Sequence, residues 1–183
     1  MTVGSPSTPA FELPEELIID TDAARRIIGE FIRAQLSQAG FGKVLLGLSG
    51  GIDSALVAYL AAEAIGSENV LAILMPYKTS SPESRGDAES FVDDLGLPHE
   101  LVDISPIVDG YFDESRADAT PLRRGNFMAR ARMCVLYDHS VTWEGLVIGT
   151  GNKTESLIGY STLFGDSASA FNPIGDLSKS QVR

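Results

Sequence analysis

The feature that most constrains this chain is an apolar run that ends in a Ser-Gly-Gly turn and passes directly into a helix pattern. Residues 44–48 are apolar enough for a buried strand, and residues 49–51 carry Asp53 and Ser54 to the first turn of the helix. Two adjacent glycines let successive backbone N–H groups point into one concavity, and a helix N-terminus adds positive partial charge there. This order of elements predicts a cradle for an anion, and phosphate is the anion we expect.

Asp53 narrows the kind of phosphate site. A carboxylate would repel a bare phosphate, so its place at the mouth of the cradle favours a divalent cation beside it. An ordinary βα turn with an Asp near the helix cap is the alternative. At S-G-G-x-D-S the chain resembles the ATP pyrophosphatases, which cleave ATP between its α and β phosphates. The chain has no G-x-x-x-x-G-K-[ST] loop, and the stretch from Gly149 matches a dinucleotide fingerprint only until Thr154 replaces its last glycine.

Composition excludes several classes of function. A chain of 183 residues is long enough for one domain with a real core. It carries 25 acidic and 14 basic residues, and this net charge of −11 argues against a general nucleic-acid binder. A single cysteine, Cys134, excludes a disulfide framework and a Cys-rich zinc site. With no apolar run of membrane-spanning length and no secretory pattern, we expect no membrane partner and a cytoplasmic protein.

Apolar strand patterns alternate with helix patterns along the chain. The predicted strands are residues 44–48, 70–75, 100–104 and 146–149. The predicted helices are Thr21–Ala39 and residues 54–65, 86–95, 105–112 and 126–140, and residues 113–124 are expected to be irregular and charged. Because the strands are continuous apolar runs, we expect a doubly wound, Rossmann-like α/β fold, a parallel sheet with helices on both faces. The turns at 49–54 and 150–155 then lie at carboxyl ends of strands, where such sheets bind ligands.

The pattern also predicts the domain boundary and part of the core. Residues 1–15 are rich in Pro, Ser and Thr and are expected to form a flexible tail, and residues 16–183 to form one domain. In the first helix Thr21 is the expected cap, and Cys134 is expected to be buried in its helix. The first helix is expected to bury an apolar stripe of Ile27, Ile28, Phe31, Ile32 and Leu36.

Four further stretches, taken with the first turn, carry a more specific resemblance. They are GNFMARARM at 125–133, GTGNKTE at 149–155, GYSTLFGD at 159–166 and NPIGDLSK at 172–179. In this order they closely resemble the ammonia-dependent NAD synthetases, and the resemblance covers most of residues 20–183. The first turn alone is shared with GMP synthetase, asparagine synthetase and tRNA-modifying enzymes, whereas the GTGNK and FGD stretches are not.

The resemblance implies a reaction that makes NAD from deamido-NAD, ATP and ammonia. The pyridine carboxylate attacks the α-phosphorus of ATP, pyrophosphate leaves, and an NAD-adenylate forms. Ammonia then displaces AMP to give the amide. Since phosphoryl-type transfer is catalysed mostly by positioning and by charge stabilisation, the leaving pyrophosphate needs cations and N–H donors. The implied cofactor is Mg²⁺, with ATP as co-substrate.

The resemblance also assigns roles to individual positions. The residues implied for ATP and its pyrophosphate are Gly47, Ser49, Gly50, Gly51, Asp53, Ser54, Arg132, Thr150 and Lys179. Those implied for deamido-NAD are Asn126, Phe127, Arg130 and Asp166, with simple core packing as the alternative for Phe127. Asp53 and Glu155 match the family's Mg²⁺ ligands, and an exposed helix position is the alternative for Glu155. Asp166 is expected to hold ammonium or take its proton, and Lys179 to neutralise charge on the reacting phosphates.

Family members continue past the LSKSQ stretch with further helices and a mobile loop that closes over the site. Such lids exclude water from reactive intermediates. We therefore predict that the chain belongs to the family, and we do not predict catalytic activity for these 183 residues on their own. A glutamine-hydrolysing domain needs a nucleophilic cysteine and substantial length. Residues 1–20 are too few for one, so we expect free ammonia or ammonia delivered by another protein. A homodimer is implied by the resemblance.

Three alternatives stay open at this stage. A sulfur-transferring tRNA modifier would need reactive cysteines and a basic surface, which this composition lacks. GMP synthetase shares the first turn but does not explain the GTGNK stretch. A catalytically silent nucleotide-binding module is the third, although the acidic and basic site residues are retained.

Overall fold

The structure is a computed structural model that describes residues 14–112, 116 and 118–183. Almost all of the tail predicted for residues 1–15 lies outside these residues, as does part of the irregular segment before the predicted helix at 126. In the described part of the chain, no helix is long and apolar enough to cross a bilayer.

Helices and strands alternate as the sequence predicts. The helices are α1 (Thr21–Ala39), α2 (Ile52–Ile65), α3 (Pro82–Leu95), α4 (Ser105–Tyr111), α5 (Pro121–Trp143), α6 (Lys153–Ile158) and α7 (Lys179–Val182). The strands are β1 (Val44–Gly47), β2 (Val70–Leu74), β3 (His99–Leu101) and β4 (Leu146–Val147). All the strand pairs are parallel, and the order across the sheet is β3-β2-β1-β4. The predicted parallel α/β fold is confirmed.

Both faces of the sheet are buried, which explains why its strands read as continuous apolar runs. Successive side chains of a strand point to opposite faces. Accordingly Val44 and Leu46 of β1 belong to one core cluster with α1, α2 and α3, while Leu45 belongs to a second cluster with α4 and α5. In β2, Ala72 packs in the first cluster and Ile73 in the second. The sheet therefore has helices on both faces.

The strand order places a crevice between β1 and β4. The chain leaves β1 toward β2 on one side and reaches β4 later on the other side, so the connections after the two neighbouring strands diverge. This is the topological switch point at which open α/β sheets bind ligands. Beyond β4, Ile148 forms a parallel bridge with Phe171, which adds one more segment at this edge.

Element boundaries differ from the predictions where capping residues decide them. Helix α5 begins five residues before the predicted start, because Thr120 accepts a hydrogen bond from the Arg123 N–H (3.2 Å) and Pro121 suits the first helical position. Helix α3 begins at Pro82, which likewise suits the first helical position, although its cap residue Ser81 makes no side-chain capping bond. The cap of α1 is Asp20, not Thr21: its Oδ1 accepts from the Ala23 N–H at 3.0 Å. The strand predicted at 100–104 is shorter and ends at Leu101.

Three predicted core residues lie at the surface. Ile28, Ile32 and Leu36 of α1, four residues apart, face the core, so Ile27 and Phe31 are rotated away from it and are 66% and 38% exposed. Cys134 is also exposed, because α5 turns Ala131 and Val135 toward the sheet instead. In both helices the buried face is narrower than the apolar pattern.

Candidate active site

The turn after β1, residues 49–54, is closed by local hydrogen bonds. The buried Ser54 hydroxyl donates to the Gly51 carbonyl (2.9 Å) and accepts from the Ser49 N–H (3.2 Å). The Ser49 hydroxyl in turn accepts from the Gly51 N–H (3.2 Å). Gly51 is the cap of α2 and offers no side-chain acceptor, so the first N–H groups of this helix are left without a side-chain cap. Those donors are suited to an anion.

Gly50 is the position in this turn where only glycine fits. Its φ is +80°, in the left-handed region that L side chains rarely adopt. A Cβ there would lie 2.1 Å from the backbone oxygen of Ser84, in the first turn of α3. The turn thus lies directly against α3, and this close approach is possible because Gly50 has no side chain.

The turn after β4 is organised by Asn152, which is fully buried. Its side-chain oxygen accepts from the Glu155 N–H (3.0 Å) and its backbone N–H donates to the Glu155 carboxylate (3.1 Å), which forms a capping box at the start of α6. Its amide nitrogen donates to Asp53 Oδ1 at 3.1 Å. The sequence analysis missed this residue. The N-x-x-E spacing signals the cap, but nothing in the sequence signals the bond to Asp53.

Helix α7 completes the arrangement from the end of the chain. The Lys179 ammonium forms an ion pair with the other oxygen of Asp53, Oδ2. The Lys179 N–H also donates to the Thr154 hydroxyl (3.0 Å), and the Lys153 N–H donates to the Leu177 carbonyl (2.8 Å). Three segments that are far apart in sequence, the starts of α2, α6 and α7, therefore meet at one carboxylate.

A cavity of about 230 Å³ lies where the two turns meet. Its lining includes Asp53, Glu155 and Asp166 together with Ser49 and Thr150. No group of three or more His, Cys, Asp or Glu side chains suited to a metal occurs in the described residues. Mg²⁺ is commonly held by one or two carboxylates, with substrate phosphates and water as its other ligands. Two carboxylates beside a phosphate cradle fit that mode, and they do not fit an all-protein metal cage.

A second cavity of about 520 Å³ adjoins the first and shares Ser49, Thr150 and Asp166 with it. Gly47 and Arg132 also line it, and its remaining wall is largely apolar. The Arg132 Nε–H donates to the Met75 carbonyl at 3.0 Å. Burial lowers the pKa of the Arg132 guanidinium from its ordinary value, yet an arginine stays protonated in proteins. A half-buried cation beside an apolar cavity suits a ligand that is flat, apolar and anionic at one end.

Three of the residues predicted for deamido-NAD lie outside the linings of both cavities. Asn126 accepts a hydrogen bond from the Thr162 hydroxyl (2.9 Å), and the Arg130 Nε–H donates to the Leu163 carbonyl (3.2 Å). These two residues of α5 therefore hold the loop at 160–166. Phe127 stacks on Tyr111 with ring centroids 4.4 Å apart, in the second core cluster.

Asp166, the fourth of these residues, lines both cavities. Its carboxylate accepts from the Thr162 N–H at 2.6 Å, so it also closes its own loop. Within that loop Phe164 has a φ of +58°, which is unusual for a residue with a side chain. Of the two catalytic candidates, Asp166 thus lines the small cavity, and Lys179 is connected to it through the ion pair with Asp53.

Comparison with known proteins identifies the family. The family model described as NAD synthase matches residues 25–183, which is most of the chain. The chain belongs to the NAD synthase family. This assignment agrees with the motif order, the parallel sheet and the position of both turns at the switch point.

The chain is similar to curated and solved synthetases. The chain is 56% identical over 166 residues to the NH(3)-dependent NAD(+) synthetase of Trichlorobacter lovleyi, which covers 91% of the chain and 60% of that relative. A solved NH3-dependent NAD synthetase from Campylobacter jejuni, in complex with the nitrate ion, superposes with a TM-score of 0.85 at 43% identity over 90% of this chain and 71% of that one. NMN synthetase from Francisella tularensis also superposes with a TM-score of 0.85, at 29% identity over 90% of this chain and 68% of that one. The chain spans about 60% of the length of the curated relatives it matches.

Proposed function

We propose that this chain carries the ATP- and metal-binding part of an ammonia-dependent NAD synthetase, a ligase that forms a C–N bond. The observation that supports this most directly is the meeting of Asp53 and Glu155 at one cavity with the turn at 49–54. The high identity to NH(3)-dependent NAD(+) synthetases supports the reaction. The substrates are deamido-NAD, ATP and ammonia, and the product is NAD.

The pyrophosphate end of ATP binds at the small cavity. The hydroxyls of Ser49 and Ser54 and the backbone at Gly50 and Gly51 surround the phosphates, with the uncapped N–H groups of α2 as additional donors. Asp53 and Glu155 would hold Mg²⁺, which would supply positive charge to the leaving pyrophosphate. The donor set of two carboxylates beside a phosphate cradle supports this assignment.

The nucleoside end of ATP occupies the larger cavity. Thr150 lies at the junction of the two cavities, and Arg132 is placed to contact an anionic group from the apolar side. Gly47 lines this cavity and packs closely against Met75, because a Cβ there would lie 3.0 Å from Met75 Cε. The apolar remainder of the lining suits a purine ring.

Two side chains act on the reacting groups. The pyridine carboxylate oxygen attacks the α-phosphorus, and the bond from that phosphorus to the departing pyrophosphate breaks. Lys179 moves its ammonium toward the phosphates and offsets their negative charge. Ammonia then attacks the activated carbonyl carbon and AMP leaves. Asp166, which borders both cavities, takes the proton released from ammonium.

The deamido-NAD site is placed beside the loop at 160–166. Asn126 and Arg130 form hydrogen bonds to that loop, and Phe127 packs on the core side of α5. The three residues therefore shape this site in addition to contacting the substrate. The adjoining segment exposes a run of large apolar side chains. They are Leu157, Ile158, Tyr160, Leu163 and Phe164. An exposed apolar patch of this kind supports a homodimer in which the partner covers it. We also propose that the protein is cytoplasmic.

A binding measurement and a product assay test the proposal. ATP with Mg²⁺ is expected to raise the melting temperature of this chain, and Asp53→Asn is expected to abolish the shift, because the variant loses a metal-binding charge. A version of the chain extended to the full length of its curated relatives is expected to give NAD, detected by mass spectrometry, when incubated with deamido-NAD, ATP, Mg²⁺ and ammonium at alkaline pH. NMN formed from nicotinate mononucleotide in its place, or amidation of xanthosine monophosphate, would move the substrate assignment. No thermal shift with ATP and Mg²⁺ would remove the support for the phosphate cradle.

A further inference from the structure

The two candidate metal-binding carboxylates lie on different helices, and one neutral side chain connects them. Asp53 belongs to the first turn of α2, which follows β1, and Glu155 to the first turn of α6, which follows β4. Asn152 contacts both: its amide nitrogen donates to Asp53 Oδ1 (3.1 Å), and its backbone N–H donates to Glu155 Oε2 (3.1 Å). One oxygen of each carboxylate thus accepts a hydrogen bond from Asn152.

Capping alone does not explain an asparagine at this position. Asp and Ser cap helices about as well as Asn, and Thr only slightly less well. An aspartate would set a third carboxylate against Asp53, and a shorter hydroxyl does not combine an acceptor for α6 with a separate NH₂ donor for α2. An amide offers both functions without charge. Asn152 is also fully buried, so neither of its bonds competes with solvent.

The other oxygen of Asp53 faces a cation already. Lys179 pairs with Asp53 Oδ2 while Asn152 holds Oδ1. A metal ion that replaced the Lys179 ammonium at Asp53 Oδ2 would leave the neutral hydrogen bond from Asn152 to Asp53 Oδ1 in place. The bond from Asn152 therefore fixes the orientation of the carboxylate both before and after a cation binds.

We infer that Asn152 is a positioning residue that sets the relative placement of Asp53 and Glu155 for metal-dependent nucleotide binding. This inference rests on the proposed function. It goes beyond that function by giving a role to a residue that touches neither metal nor substrate. Partners that orient metal ligands in this way typically change metal affinity about 10- to 100-fold when they are removed.

Asn152→Ser tests the inference because serine keeps an N-cap acceptor and loses the amide donor to Asp53. Binding of Mn²⁺ to the chain is measured by electron paramagnetic resonance in the presence of a non-hydrolysable ATP analogue. We expect the variant to weaken Mn²⁺ binding about 10- to 100-fold. Asn152→Thr serves as the second variant if the serine variant does not fold.

The matched control is Asp20→Ala, which removes the cap of α1 and leaves both turns unchanged. It is expected to lower the melting temperature in the same way without changing Mn²⁺ affinity. Equal Mn²⁺ affinity in the wild type and in the folded Asn152 variants would overturn the inference and leave the proposed function intact. If the wild-type chain binds no Mn²⁺ with the analogue, the proposed function fails, and the inference fails with it.

Discussion

The two turns that form the candidate active site differ in where their hydrogen bonds come from. The turn after β1 is closed by bonds among Ser49, Gly51 and Ser54, residues at most five apart. The turn after β4 depends on distant segments: Asn152 contacts Asp53, 99 residues away, and the Lys153 N–H reaches the Leu177 carbonyl. The first turn is therefore closed by a local motif, whereas the second combines a local capping box with contacts to distant segments.

This difference has a functional meaning. The proposed phosphate cradle needs a fixed backbone, and short-range bonds with a glycine at positive φ provide one before any ligand binds. The carboxylates around a metal need correct spacing across two helices, and only long-range contacts set such a spacing. We therefore expect changes in the first turn to act mainly through local backbone strain, and changes in the second to act through coupling to its partners.

The largest effect is expected when the local turn is broken at Gly50. Gly50→Ala places a methyl group against the Ser84 backbone at a φ of +80°, so the substitution is expected to cost about 1–3 kcal/mol of the free energy of unfolding. Gly51→Ala is the matched control, because its φ of −86° suits any residue. That variant is expected to lose less than about 1 kcal/mol, through poorer capping. Urea unfolding of both variants gives the comparison, and equal losses would contradict the role assigned to Gly50.

A smaller, coupled effect is expected in the second turn. A Cβ on Gly149 would lie 2.0 Å from Asn172 Oδ1, but this obstacle is a side chain that can turn aside. Gly149→Ala is expected to cost about 1–2 kcal/mol by overpacking. Adding Asn172→Ala is expected to recover much of that loss, with a coupling above about 0.5 kcal/mol in a double-mutant cycle. Strict additivity would mean that the turn is shaped locally after all.

The smallest effect is expected at the contact between the turns, where Lys179 pairs with Asp53. Lys179→Met removes the ammonium, which competes with a metal ion for the Asp53 carboxylate, and keeps the apolar part of the side chain. Since a partly exposed ion pair is worth up to about 1 kcal/mol, Mn²⁺ is expected to bind the nucleotide-free variant up to about fivefold more tightly. With the ATP analogue present, the analogue itself is expected to bind more weakly, because a phosphate contact is lost. Calorimetric titration checks both signs, and a loss of Mn²⁺ affinity without nucleotide would contradict the competition.

The same distinction between local and long-range contacts separates what the sequence predicts from what it does not. The turn at 49–54 could be predicted because the hydrogen bonds that close it join residues at most five apart. The parallel sheet could be predicted because burial on both faces leaves continuous apolar runs. Asn152 could not be assigned its second bond, because the position of Asp53 relative to it is set by packing between β1 and β4.

The remaining misses have physical causes of the same kind. Ile27 and Cys134 lie in apolar patterns, yet the helix face that meets the sheet is narrower than the pattern. The start of α5 was placed late because Arg123 and Arg124 read as a charged loop, whereas Thr120 and Pro121 decide the helix start. The ligand contacts of Asn126 and Arg130 stay predictions, and the structure adds that both residues hydrogen-bond to the loop at 160–166, which no local pattern could position.

The most direct test of the account is a crystal structure of the chain with Mn²⁺ and a non-hydrolysable ATP analogue, with the metal located by its anomalous scattering. The account predicts the β and γ phosphates at residues 49–54 and one Mn²⁺ that contacts the carboxylates of both Asp53 and Glu155. It also predicts that Asn152 still donates to Asp53 while Lys179 has moved to the phosphates. A triphosphate bound away from the first turn, or a metal that contacts neither carboxylate, would contradict it.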